Sequence, residues 1–309
     1  MTIDIATLGF WMHDEVAALL GGGFRLHKLW NADDLDAAGP ALDGIRAILT
    51  YAGAQPVGRA LLDRLPALEL IVVMGAGIDA IDVQTTSERG IAVRNTPGTN
   101  ADDVAELAIG LMIAAGRGIV SADAAMRAGD WINRTSDRLS GRPIGLLGMG
   151  NIGKAIARRA AAFDMPVHYH ARAPQPDLPY HFHAEPGALA QAVDVLVVAA
   201  PATPETYHIV DDAILTALGA RGILVNIARG SLVDEDALLA ALSEGRLGAA
   251  GLDVFEHEPV YAPAFRTLPN VVLSPHNGAN TFQAFAATRS LATALMRAHF
   301  EQETIEGEV

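Results

Sequence analysis

Residues 143–163 read Pro143-Ile144-Gly145-Leu146-Leu147-Gly148-Met149-Gly150-Asn151-Ile152-Gly153-Lys154-Ala155-Ile156-Ala157-Arg158-Arg159-Ala160-Ala161-Ala162-Phe163. A short apolar run leads into glycines spaced GxGxxG, and apolar residues then recur at helical spacing, so the stretch predicts strand, tight turn and helix. Gly148 permits the backbone angles of the turn. Gly150 has no Cβ to hold a pyrophosphate away from the main chain, and Gly153 lets helix and strand lie close. The helix N-terminus then presents unpaired N–H groups and the positive end of its dipole to an anion. The spacing, the preceding strand and the following helix together indicate a dinucleotide-binding unit.

Downstream the rhythm continues. Val167–Tyr169, Val193–Ala199, Ile223–Asn226, Ala249–Asp253 and Val271–Leu273 are strand candidates, with helices expected around Asp211–Leu218 and Asp234–Leu242. Such a series after GxGxxG predicts a doubly wound parallel sheet of the Rossmann kind. Upstream, strands are expected at Ile3–Leu8, Ile45–Leu49, Leu70–Met74 and Ile91–Val93, with helices at Glu15–Leu20 and around Val57–Leu65. This first unit has no phosphate fingerprint of its own. Asn95-Thr96-Pro97-Gly98 is a turn signal, and Asn100–Ala115 reads as a long helix with Asn100 as cap and Asp102 and Asp103 in its first turn. Thr281–Phe300 is apolar at helical spacing and is expected to pack back on the first domain. The fold class is therefore α/β, with two doubly wound parallel-sheet domains. The substrate domain is expected at 1–94, completed by 281–309, and the dinucleotide-binding domain at 95–280.

Composition narrows the function. The chain has 309 residues, a net charge of −14, half its residues hydrophobic and no cysteine. A chain this acidic offers no basic stripe for a phosphate backbone, so no nucleic-acid partner is expected. Without cysteine there is neither disulfide framework nor thiolate chemistry, which suits a reducing compartment. The N-terminus lacks a basic region, and the Ala-rich Val104–Ala115 run is interrupted by Glu106 and followed by Arg117. No membrane association is expected, and the protein is expected in the cytoplasm.

Four segments together resemble the D-isomer-specific 2-hydroxyacid dehydrogenases: Gly148–Gly153, Val225-Asn226-Ile227-Ala228-Arg229-Gly230, Gly251-Leu252-Asp253-Val254-Phe255-Glu256-His257-Glu258-Pro259 and Ser274-Pro275-His276-Asn277-Gly278. The likeness extends to Met74–Asp82 and Asn95–Ile109, and the glyoxylate and hydroxypyruvate reductase branch is the most similar. The resemblance implies reduction of a small 2-keto acid to the D-2-hydroxy acid. It makes Arg229 the substrate-binding guanidinium, His276 the proton donor and Glu258 its orienting partner, with Glu256 structural or solvated. An imidazole, with an ordinary pKa of about 6.5, can give and reclaim a proton near neutrality. Backbone amides of Ala76 and Gly77 are implied as the carboxylate anchor. Met149, Asn151, Ile152, Pro201, Ile227, Asp253 and Gly278 are implied as further cofactor contacts, Asp253 toward the carboxamide or, equally, as a cap of local backbone.

Nucleotide choice rests on the end of the second strand, where an NAD-type fold carries an acid for the ribose 2′-OH. That place falls at Ala171, and its neighbour Arg172 can pair with a 2′-phosphate. NADP (NADPH) is thus the preferred cofactor, with NAD possible. His168, His170, His181 and His183 form two HxH pairs, but alternate strand residues merely share a face, so no metal is expected. Asp164 stands where the family usually has glycine, and a local backbone adjustment is expected there. The segment Trp131–Arg134 corresponds to a region that contributes to dimer contacts in relatives, so the resemblance implies a homodimer. Tyr51, Trp131 and Arg134 are candidates for setting substrate size. The same fold also serves phosphoglycerate- and lactate-type dehydrogenases and nucleotide-sensing corepressors. The Arg229, Glu258, His276 set favours an enzyme.

Overall fold

The computed structural model describes residues 2–9, 13–51 and 55–306, and the chain divides into two compact units, 1–100 with 281–309 and 101–280.

In the first unit the strands are β1 (Ile3–Thr7), β2 (Phe24–Lys28), β3 (Ile45–Tyr51), β4 (Leu70–Met74) and β5 (Ala92–Asn95). The helices are α1 (His13–Leu20), α2 (Ala32–Ala38), α3 (Arg59–Leu62), α4 (Val83–Glu88) and, from the chain's C-terminal part, α11 (Phe282–Glu306). The sheet order is β2-β1-β3-β4-β5, all parallel. Strands β3 and β4 are buried on both faces, which is why they read as unbroken apolar runs. One face packs Ile5, Leu49, Leu70 and Val72 against Ala292, Met296 and Phe300 of α11. Helix α11 thereby belongs to the first unit.

Two elements depart from the sequence pattern for visible reasons. Strand β2 is an edge strand of sequence Phe-Arg-Leu-His-Lys with no fully buried residue, so it carries no apolar run. Helix α2 also buries nothing; it is held at its start by Asn31, whose side chain accepts from the Asp34 amide. The first unit runs on past Asn95, because β5 ends there and the Thr96 amide still bonds the Gly75 carbonyl.

The second unit comprises α5 (Ala101–Arg117), α6 (Ile119–Ala128), β6 (Ile144–Leu147), α7 (Asn151–Ala161), β7 (Val167–His170), β8 (His181–His183), α8 (Pro186–Gln191), β9 (Val195–Val198), α9 (Asp212–Leu218), β10 (Ile223–Asn226), α10 (Glu235–Ser243), β11 (Ala249–Leu252) and β12 (Val271–Leu273). Its seven strands run parallel in the order β12-β11-β10-β9-β6-β7-β8. The sheet order reverses about β6, the strand that feeds the glycine turn, and this is the switch point of a Rossmann domain. One face is covered by α5 and α7 through Val104, Leu111, Met112 and Ile156, the other by α8, α9 and α10 through Leu189, Leu215 and Leu238. Asp211 and Asp234 cap α9 and α10 by accepting from Ile214 and Ala237 amides.

One local expectation is corrected: Asn100 does not cap α5, since its Oδ1 is buried without a hydrogen-bond partner. Asp164 holds φ at +56°, an excursion that a short polar side chain tolerates. Among the described residues, no single helix is long and apolar enough to cross a membrane.

Candidate active site

Parallel strands all end on the same edge of their sheet, and in the second unit they end level. Leu147 is the register partner of both His170 and Val198, Asn226 of Val198 and Leu252, and Leu252 of Leu273. The segments that leave those six residues carry nearly every candidate residue of this unit: Gly148–Gly153, Ala171 and Arg172, Pro201, Ile227 and Arg229, Asp253 and Glu258, His276 and Gly278. One sheet edge therefore gathers residues scattered over 130 positions, where open α/β sheets place their ligands.

At the head of this edge lies the glycine turn. Gly148 has φ of +105°, and a Cβ there would come within 2.6 Å of the Ala199 carbonyl oxygen. A Cβ on Gly153 would lie 2.3 Å from the Gly148 oxygen, whereas one on Gly150 would meet nothing within 4 Å. Two glycines are thus demanded by the fold itself, and the third opens onto free space. Helix α7 starts beyond it with Asn151 and Ile152, and its first amides are the donors a pyrophosphate needs. Open space at Gly150, before an uncapped helix start, fits a dinucleotide. Met149 is buried at the turn, and Ile227 is buried after β10. Ala171 follows β7 half-buried, Arg172 is exposed, and Pro201 is exposed with its carbonyl bonded by the Thr206 hydroxyl at 2.8 Å.

The titratable residues come together further along. Nδ1 of His276 lies 2.7 Å from Oε2 of Glu258, and Oε1 of the same carboxylate accepts from the Phe255 amide at 3.0 Å. Burial pushes the Glu258 carboxyl up. The bond to the His276 ring, the Phe255 amide and the charges of His276 and Arg229 outweigh this, leaving it below the ordinary carboxylate value. An ionised carboxylate only accepts, so Nδ1 carries the hydrogen and Nε2 is the nitrogen left for a ligand. Glu256 turns elsewhere, to the Tyr207 hydroxyl at 3.1 Å and His208 Nε2 at 3.2 Å. Arg229 stands at the end of a turn shaped by Asn226, whose amide donates to the Arg229 carbonyl and whose Oδ1 accepts from Ala228 N.

Asp253, expected toward the carboxamide or as a cap of local backbone, is a buried residue whose carboxylate bonds the loop that bears the histidine. Oδ1 accepts from Ser274 Oγ at 2.5 Å and from the Asn277 amide at 2.7 Å, and Oδ2 accepts from the Gly278 amide at 2.8 Å. The Asp253 carbonyl accepts from the amide of His276 itself, which holds φ at +53°.

The remaining candidates belong to other segments. Ala76 and Gly77 follow β4 in the first unit, where the Asn95 side chain donates to the Ala76 carbonyl at 2.7 Å. Tyr51 ends β3 of that unit, while Trp131 and Arg134 lie in an irregular stretch after α6, Trp131 being 85% exposed. The histidines of β7 and β8 share one face, with His168 Nδ1 2.9 Å from His183 Nε2 and the rings of His168 and His181 in contact. Burial and positive neighbours lower the pKa of His168 and His183. Among the described residues no three His, Asp or Glu side chains converge as metal ligands.

A Rossmann unit with an imidazole–carboxylate pair at the carboxyl ends of its strands defines the class of dinucleotide-dependent oxidoreductases. Residues 109–278 match the family model described as D-isomer specific 2-hydroxyacid dehydrogenase, NAD binding domain. The chain is 42% identical over 286 residues to a glyoxylate/hydroxypyruvate reductase A of Arabidopsis thaliana, with 91% of each chain covered. It is 41% identical to a hydroxyphenylpyruvate reductase of Plectranthus scutellarioides, with 90% of each covered. Among solved structures, the NADPH-dependent glyoxylate/hydroxypyruvate reductase of Sinorhizobium meliloti, in complex with NADP and malonate, superposes with a TM-score of 0.89 at 34% identity, covering 97% of this chain and 94% of that one. The chain belongs to the D-isomer specific 2-hydroxyacid dehydrogenase family and is an NAD(P)-dependent reductase of 2-keto acids.

Proposed function

We propose that this enzyme reduces a small 2-keto acid of the glyoxylate or hydroxypyruvate type to the D-2-hydroxy acid, with NADPH as its preferred reductant. The observation that carries the reading is the Glu258–His276 hydrogen bond on the ligand edge of the dinucleotide unit.

Gly148, Gly150 and Gly153 with the amides of Asn151 and Ile152 hold the pyrophosphate, and Arg172 the adenosine 2′-phosphate, at a strand end that offers Ala171 in place of an acid. Pro201, Ile227 and Gly278 line the same edge. When bound, the reduced nicotinamide supplies the hydride. Arg229 binds the substrate through a planar fork that stays charged at any working pH and draws electron density toward the keto oxygen. Ala76 and Gly77, at the end of β4, take the carboxylate-anchoring role with their amides. His276 gives the proton from Nε2 to the oxygen as it becomes an alkoxide, and the ring is reprotonated from solvent. Glu258 fixes the tautomer and ring plane, and Asp253 fixes the loop.

The exposed apolar side chains Ile119, Val120 and Met126 of α6, with Trp131 and Ile132 beyond it, are assigned to a contact between two copies of the chain. Light scattering on the purified protein reads this as a mass twice that of the chain. The same reading places the reaction in the cytoplasm.

The test is a panel of glyoxylate, hydroxypyruvate, phenylpyruvate and 2-ketogluconate, each followed at the nicotinamide absorbance band with NADPH and with NADH. Higher kcat/KM for the two small acids with NADPH is the expected result. A clear preference for a bulky acid, or for NADH, overturns the corresponding half.

A further inference from the structure

Two hydrogen bonds beside the dinucleotide edge are not used by any role given so far. Gln175 lies at the far end of the loop that leaves β7 with Arg172. Its Nε2 donates to the main-chain oxygen of Met149 at 3.0 Å. Met149 sits between the first two glycines of the fingerprint, so the side chain of the ribose loop reaches the backbone of the pyrophosphate turn. The Gln175 amide in turn donates to the hydroxyl of Tyr169 at 2.7 Å. Tyr169 is 1% exposed and packs its ring against Phe182, so that hydroxyl is a fixed point. Downstream, the Leu178 amide closes a turn onto the Gln175 carbonyl at 3.0 Å.

The segment 171–175 is thereby fastened at both ends: by strand β7, whose His170 carbonyl accepts from the Gly148 amide at 2.9 Å, and by Gln175. Arg172, exposed between those two points, is carried on a loop that cannot shift without pulling on the glycine turn. A loop ordered before binding loses less conformational entropy when its ligand arrives, and this selectively favours the ligand that uses the loop.

We propose that Gln175 is a specificity-determining positioning residue, coupling the arginine that takes the 2′-phosphate to the turn that takes the pyrophosphate. The proposal rests on the reading of Arg172 given above. It distinguishes Gln175 from a simple partner for the Met149 carbonyl, whose loss would weaken NADP and NAD alike.

The experiment is calorimetric titration of NADP⁺ and of NAD⁺ into the wild type, Q175A, R172A and the double variant, with no turnover involved. Q175A is expected to weaken NADP⁺ about tenfold and NAD⁺ less than about twofold. In the R172A background Q175A is expected to have no further effect on NADP⁺, because the two residues act as one. Q175E keeps the size but loses the donor to Met149, and Y169F frees the other anchor; both should shift the NADP⁺ to NAD⁺ ratio in the same direction. Equal losses for the two nucleotides, or independent additive losses from Q175A and R172A, overturn the proposal. If R172A alone leaves NADP⁺ binding unchanged, the reading of Arg172 falls first and the coupling with it.

Discussion

His276 Nδ1 and Glu258 Oε2 lie 2.7 Å apart, although the two residues are 18 positions apart in sequence. The pair is held from both sides, by the Phe255 amide on the carboxylate and by the Asp253 carbonyl on the His276 amide. H276A is expected to lower kcat by roughly 10²–10⁴ while leaving the calorimetric affinity for NADP⁺ nearly intact. Near-normal turnover would remove the histidine from proton transfer.

The depressed Glu258 carboxyl makes a prediction about acid. A carboxyl with a lower pKa folded than unfolded stabilises the fold above its unfolded value and loses that contribution as pH falls through the folded one. In E258Q this contribution is missing. The gap in urea midpoint between wild type and E258Q should shrink as pH falls below about 5. A gap that widened toward low pH would mean the carboxyl is destabilised by its surroundings.

R229K keeps the charge but replaces a planar fork by a compact ammonium. Its kcat/KM for glyoxylate should drop by at least about tenfold, the scale of one lost charge-assisted hydrogen bond. Unchanged kinetics would rule out recognition by two nitrogens at once.

R172A should raise KM for NADPH by about tenfold to a hundredfold and leave KM for NADH within about a factor of two. A wild type that already favours NADH in steady state would end the 2′-phosphate assignment.

The glycines of the turn should separate fold from function. G153A forces a Cβ to within 2.3 Å of a backbone oxygen and should destabilise the protein by about 1–3 kcal/mol in urea unfolding. G150A places its methyl in open space, so its unfolding midpoint should match wild type while dinucleotide affinity falls. A G150A protein that binds NADP⁺ normally would show that the pyrophosphate does not approach that position.

Most of the second sheet was legible because its strands are buried on both faces and so read as continuous apolar runs, as in Ile223–Asn226 and Val195–Val198. Edge strands β2 and β8 were not, since a strand with one wet face and histidines or charges along it has no such run. Glu258 could be told from Glu256 only through the family resemblance, as both are glutamates two residues apart on one loop. The work of Gln175 was invisible for another reason. It acts by bonding a backbone group far along the chain, and backbone groups have no letter in a sequence.

That has an outcome for how this chain can change. Three donors from one pentapeptide converge on the Asp253 carboxylate. Asparagine would turn one oxygen into a group facing donors with donors, and glutamate would push the whole loop outward by a methylene. Position 253 accordingly has no chemical synonym.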